Sequence, residues 1–205
     1  LYHWSHLELQ RYFNYDKPLS PATAEEVWDV CNKKLADSSM TVRNIIRQSN
    51  VETICTTDDP VDSLEWHKKI AEDTSFEVKV LPAWRPDKAM AIENPAQYRE
   101  YMQTLGAAAG ITISNYQDLL DALRKRQDFF HEIGCRISDH GMDTFYAEDF
   151  EIEEIDRIFR NTLKGELPSE QDVLKFKSAM FLDLGRMYHD KGWAQQFHIG
   201  PIRNN

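Results

Sequence analysis

No apolar run in this sequence approaches the roughly 20 residues that a membrane-spanning helix needs, and no charged-then-apolar leader precedes the first helical stretch. A membrane partner is therefore not expected. Basic residues are also short: 24 Lys and Arg stand against 34 Asp and Glu, a net charge of −10. Phosphate binding needs clustered cations, so a nucleic-acid partner is not expected either. Cysteines number three, Cys31, Cys55 and Cys135, and they are scattered. An odd, dispersed set fits buried thiols in a reducing cytoplasm better than a disulfide framework or a zinc knuckle. Metal motifs are missing as well: there is no His-x-His, no His-Glu-x-x-His and no close cysteine pair. His3 and His6 share a helical spacing, but Trp4 and Leu7 beside them make packing their simpler role. No strand is followed by a Gly-rich phosphate loop, since the glycine-dense patch Gly106 to Gly110 is expected to join two helices. A dinucleotide fold is set aside on that ground.

What is present is a chain of 205 residues, 41% hydrophobic, enough to bury a core as one domain or as a large part of a bigger one. Residues 1–50 read as a helical preface, with Val27, Trp28, Cys31 and Leu35 forming one apolar stripe. The rhythm changes at Val51–Thr57, a β-branched run that ends in Asp58-Asp59-Pro60 and leads into a helix from about Val61. A second strand over Phe76–Leu81 runs into Pro82-Ala83-Trp84-Arg85-Pro86-Asp87-Lys88. Helices are expected over 95–105 and 115–133, the latter opened by a Ser114/Gln117 capping box and closed by Gly134. A third strand lies in Gly134-Cys135-Arg136-Ile137-Ser138-Asp139-His140-Gly141 and displays Asp139 and His140 at its end. Two more helices, over 147–161 and 169–191, precede a fourth strand, Trp193–Ile199. The chain begins at Leu1 rather than Met and stops in the loop Gly200–Asn205, so a fragment of a longer protein is expected.

Four strands separated by helices, without a hairpin signal between them, imply parallel pairing through crossovers. Residues 51–205 therefore read as an α/β fold and part of a (β/α) barrel, with residues 1–50 as a separate helical segment. In such a barrel the strand ends converge on one face. Those ends carry Asp58 and Asp59; Trp84, Arg85, Asp87 and Lys88; Asp139 and His140; and His198 with Arg203. Two arginines suit an anionic substrate, because guanidinium pairs bidentately with a carboxylate or phosphate. Asp139, His140 and His198 can serve as acid or base. Taken singly, Asp58 and Asp59 before Pro60 are most simply a helix cap, and His198 in an apolar run is more often a satisfied core histidine.

Five stretches in order, Leu1-Tyr2-His3-Trp4-Ser5-His6-Leu7-Glu8-Leu9, Cys55-Thr56-Thr57-Asp58-Asp59-Pro60, Leu81-Pro82-Ala83-Trp84-Arg85-Pro86-Asp87, Ser138-Asp139-His140-Gly141 and Phe197-His198-Ile199-Gly200 through Arg203-Asn204-Asn205, resemble the uronate isomerase family of the amidohydrolase superfamily. The resemblance implies a partial (β/α)8 TIM-type barrel with a helical insertion that ends at about residue 50, this chain carrying strands two to five. It implies a hexuronate substrate, aldose-ketose isomerisation, and a homo-oligomeric cytoplasmic enzyme. It assigns Arg85 and Arg203 to substrate binding and His198, Asp139 and His140 to the catalytic wall. A divalent metal, zinc being the expected ion, would take its main ligands from outside this chain, leaving the fragment alone inactive. The alternative is a metal-dependent hydrolase of the same superfamily.

Overall fold

The computed structural model describes residues 1–200. The chain forms two compact units, one of residues 1–52 with 76–78 and one of residues 53–75 with 79 onward. In the first unit α1 (Tyr2–Phe13), α2 (Ala24–Leu35) and α3 (Val42–Gln48) surround a small interior of Leu9, Tyr15 and Met40. The stripe expected on α2 is not buried, since Trp28 and Leu35 are both exposed. His6 bonds Tyr2 O through Nδ1 and accepts from Leu19 N–H at Nε2, which occupies both ring nitrogens. Arg47 pairs with Glu77 at 2.9 Å, and this holds the Glu77 carboxyl down at about 2.

The second unit carries β1 (Thr53–Cys55), α4 (Glu65–Glu72), β2 (Lys79–Leu81), α5 (Asp87–Met90), α6 (Pro95–Ala109), α7 (Tyr116–Ile133), β3 (Ile137–Met142), α8 (Ile152–Lys164), α9 (Glu170–Lys191) and β4 (Ala194–Ile199). β1 pairs with β2 and β3 with β4, both parallel. Single parallel bridges, Asp58 to Trp84 and Trp84 to Ser138, connect the two ribbons. All four strands thus follow one direction through helical crossovers, as the α/β reading expects.

Boundaries differ from the sequence reading in instructive ways. β1 and β2 are three residues each, because beyond them the chain pairs only through isolated bridges. β3 starts later than expected, at Ile137, and runs one residue further, to Met142, so Asp139 and His140 lie in mid-strand rather than at its end. Asn115, not Ser114, caps α7 by accepting from Asp118 N–H at 2.9 Å, and Ser114 instead donates to the Asp118 carboxylate. The reciprocal capping box occurs at Ser169 and Asp172, at the start of α9. Cys135 is buried as expected, and burial pushes its thiol up to about 11. Cys55, expected in the core, is exposed.

α7 places Leu119, Leu120, Leu123 and Phe130 on the core face and ends at Gly134, whose φ of 110° is closed to most side chains. The core continues through Tyr98, Tyr116, Phe159 and Phe176, where the rings of Phe159 and Phe176 stack and Tyr98 meets both edge-on. Gly106 lies inside α6 rather than in a linker. A Cβ there would come within 2.6 Å of the Ile111 carbonyl oxygen. Gly→Ala inside a helix ordinarily gains about 1 kcal/mol. Here the sign is expected to reverse, with Gly106→Ala losing about 1–3 kcal/mol from steric strain, measurable as a lowered urea midpoint.

Candidate functional site

Side chains alternate along β3 and β4, and the register pairs Asp139 with Gln196, His140 with Phe197 and Gly141 with His198. Asp139 and His198 consequently share one face. His140 takes the other.

On the first face, Asp139 is buried at 5% exposure and its side chain has two partners among the described residues. Its Oδ1 lies 2.7 Å from His198 Nδ1, and its Oδ2 accepts from Arg85 Nη2. One carboxylate therefore orients an imidazole and a guanidinium together. Arg85 reaches it because Trp84 is bonded by its backbone to β3: Trp84 N–H donates to Ile137 O and Asp139 N–H to Trp84 O. His198 is 43% exposed, so its far nitrogen is accessible, with the Gln196 amide 3.4 Å away. If Nδ1–H donates to Asp139, Nε2 presents a lone pair outward, the arrangement a general base requires. His198 is thus a carboxylate-oriented, half-exposed imidazole rather than a core histidine.

On the second face, His140 is 1% exposed and packs against α9. Its Nδ1 is 2.9 Å from Asp87 Oδ1 and its Nε2 is 2.9 Å from the Tyr188 hydroxyl. Phe197 stacks on its ring at 5.8 Å. The structure therefore brings Arg85, Asp139 and His198 together and holds His140 apart from them. Arg203 lies outside the described residues.

Asp58 and Asp59 do not cap α4. Asp58 accepts from Thr56 Oγ1 at 2.6 Å, while Asp59 accepts from Tyr101 and pairs with Lys88 at 3.1 Å. Asp62 ends the loop by accepting from Leu64 N–H, and α4 begins at Glu65. Trp84, grouped with the polar strand ends in the sequence, is wholly buried.

Two residues that touch the site were given no role from sequence. Asp87 stood among the strand-end polar residues without a partner to identify it. Tyr188 follows Leu184 by four residues on α9, so helical periodicity could have marked it as buried, though not as a hydrogen-bond partner of His140.

A cleft of about 550 Å³, lined by Arg99, Gly106, Ile111 and Leu163 among others, has no acid/base pair and stands apart from these groups. Among the described residues no three His, Cys, Asp or Glu side chains converge as a metal-ligand set. Asp139 and His198 make only a pair, and both Asp139 oxygens are taken, by His198 and Arg85. The residues present therefore do not fit a metal site on their own, and no chemical step is assigned to one.

A family model described as glucuronate isomerase matches residues 1–205. Uronate isomerase of Bacteroides thetaiotaomicron is 55% identical over 205 residues, and that of Lachnospira eligens 51%. Each alignment takes in 100% of this chain and 44% of the relative, so the chain spans less than half the length of these relatives. The crystal structure of uronate isomerase from Thermotoga maritima superposes with a TM-score of 0.88 at 36% identity, covering 99% of this chain and 44% of that one. The crystal structure of glucuronate isomerase from Caulobacter crescentus gives 0.85 at 26% identity, over 100% and 42%.

Proposed function

The chain belongs to the glucuronate isomerase family, and on that premise we propose that the intact protein interconverts hexuronate aldoses and ketoses, D-glucuronate with D-fructuronate and D-galacturonate with D-tagaturonate. The observation that carries this reading is the Arg85–Asp139–His198 cluster on one strand face. Isomerisation moves hydrogen between C2 and C1 and needs a base near C2 while a cationic group holds the substrate's own carboxylate. Arg85 suits the second task, because its planar fork can serve Asp139 with one nitrogen and a substrate carboxylate with others. His198 suits the first: Asp139 fixes its ring through Nδ1 and leaves Nε2 toward the open side. Asp139 positions both. His140, enclosed between β3 and α9, takes an orienting role on this reading, and Arg203 is carried over as a second substrate-binding arginine on resemblance.

The same reading makes β1–β4 strands two to five of a (β/α)8 barrel and residues 1–50 the end of a helical insertion. The parallel strand order and the bridges through Trp84 support it. The family's divalent metal, expected to be zinc, would draw its ligands from segments beyond these residues. A homo-oligomer acting in the cytoplasm on a small sugar acid completes the proposal; among the described residues no helix is long and apolar enough to cross a membrane. The hydrolase alternative has no observation that favours it.

The test is direct. Intact protein incubated with D-glucuronate and D-galacturonate should form the corresponding ketoses, followed by ketose-specific reduction or by NMR. Unchanged substrates with correctly folded, metal-supplied protein would sink the reading.

A further inference from the structure

Tyr188 lies 1% exposed on α9, and burial holds its phenol well above the ordinary pKa, so it keeps its proton. A buried hydroxyl that donates to nothing forfeits a hydrogen bond. Its oxygen lies 2.9 Å from His140 Nε2, with Ser138 beside it as well. The Asp87 carboxylate only accepts, so it calls for a hydrogen on Nδ1, and a Tyr188 hydroxyl that donates to Nε2 completes the Nδ1–H tautomer. Nδ1–H donates to Asp87 Oδ1 at 2.9 Å, and the backbone N–H of Gly141 donates to Asp87 Oδ2, also at 2.9 Å. Both oxygens of one carboxylate thus accept from adjacent residues of β3. Two residues before Asp87, Arg85 bonds Asp139, the residue before His140. Arg85 Nε, buried and without a hydrogen bond among the described residues, faces Asp87 Oδ2 at 4.0 Å.

We infer that Asp87 is a positioning residue: its two oxygens clamp His140 and Gly141, fix His140 as the Nδ1–H tautomer, and set the Trp84–Asp87 turn where Arg85 meets Asp139. The kinetic consequence rests on the isomerase reading. The hydrogen-bond pattern does not.

Asn cannot replace this carboxylate. Both partners are donors, so one must face the amide NH₂ whichever way the side chain turns. If that partner is His140, its proton must leave Nδ1 for Nε2, which turns the Tyr188 hydroxyl from donor into acceptor. If it is Gly141, the backbone donor at the end of β3 is lost.

The experiment uses intact protein with ¹⁵N-labelled histidine ring nitrogens, the His140 signals being assigned by their absence in His140→Gln. Wild-type protein should show a protonated Nδ1 and an unprotonated Nε2. An Nε2–H tautomer overturns the clamp without need of any variant, so the inference survives or fails even if Asp87→Asn does not fold. Folded Asp87→Asn should lose the wild-type ring pattern or the Gly141 amide's protection from exchange. It should also raise KM for hexuronate about tenfold with a smaller change in kcat, the split expected when the group that binds the substrate carboxylate is displaced. An unchanged tautomer and protected amide in Asp87→Asn, or a KM within about twofold of wild type, overturns the positioning role. A wild-type protein inactive on hexuronates overturns the proposed function instead, while the ring pattern still judges the clamp.

Discussion

Arg85→Ala is expected to lower kcat/KM of the intact protein for hexuronates by about 10²- to 10³-fold, or about 3–4 kcal/mol, with the fold retained. Two losses add. The substrate carboxylate loses its planar, fixed-charge partner, and Asp139, 5% exposed, is left with His198 alone. A carboxylate held from one side only orients the His198 ring less firmly. Lys in place of Arg keeps the charge but offers a point rather than a fork, so it can serve Asp139 or substrate and not both. Arg85→Lys should therefore recover only part of the loss, about tenfold below wild type. The coupling is equally specific: Arg85→Ala and Asp139→Asn share one hydrogen bond, so their effects should be less than additive. A kcat/KM within about threefold of wild type for Arg85→Ala would remove this residue from the site.

The sequence exposed the parallel α/β plan because helical and strand periodicities alternate cleanly from Val51 onward. Gly134, Gly165 and Gly192, each in the left-handed region just past a helix, mark helix ends that single residues can announce. Strand lengths were not readable. Whether Val51–Thr57 pairs over three residues or seven depends on the neighbouring backbone, and that is a long-range fact. The same limit applied to the site. Residue types named Arg85, Asp139, His140 and His198 as candidates, and alternation puts the adjacent Asp139 and His140 on opposite faces, yet nothing in the sequence says which of them shares a face with His198. The register of β3 on β4 decides it, putting Asp139 with His198 and turning His140 toward Tyr188. Tyr188 lies 48 residues from His140, so no local pattern links them.

Trp84→Ala is expected to be the most damaging core substitution, destabilising the protein by about 3–5 kcal/mol. Its side chain is 0% exposed, and its ring meets Phe130 edge-on at 4.9 Å and Trp193 at 6.3 Å. Its backbone forms the bridges to both Asp58 and Ser138, the connection between the two strand pairs. Emptying the indole volume removes packing at the point where the pairs join, and domains of this size hold only about 5–15 kcal/mol in reserve. The indole Nε1 makes no hydrogen bond of normal geometry among the described residues, so Trp84→Phe mainly gives up volume and should cost about half as much. In urea the midpoint should fall in that order with the slope unchanged, as expected when a cavity rather than a change of compactness is responsible. Activity gives a second reading. Trp84 touches no substrate on the proposed reading, but Arg85 follows it directly, so a cavity at Trp84 should loosen Arg85 from Asp139 and raise KM well below the unfolding midpoint. A destabilised Trp84→Ala protein whose KM matches wild type would show that Arg85 is held by Asp139 and Asp87 alone, independent of the core beneath it.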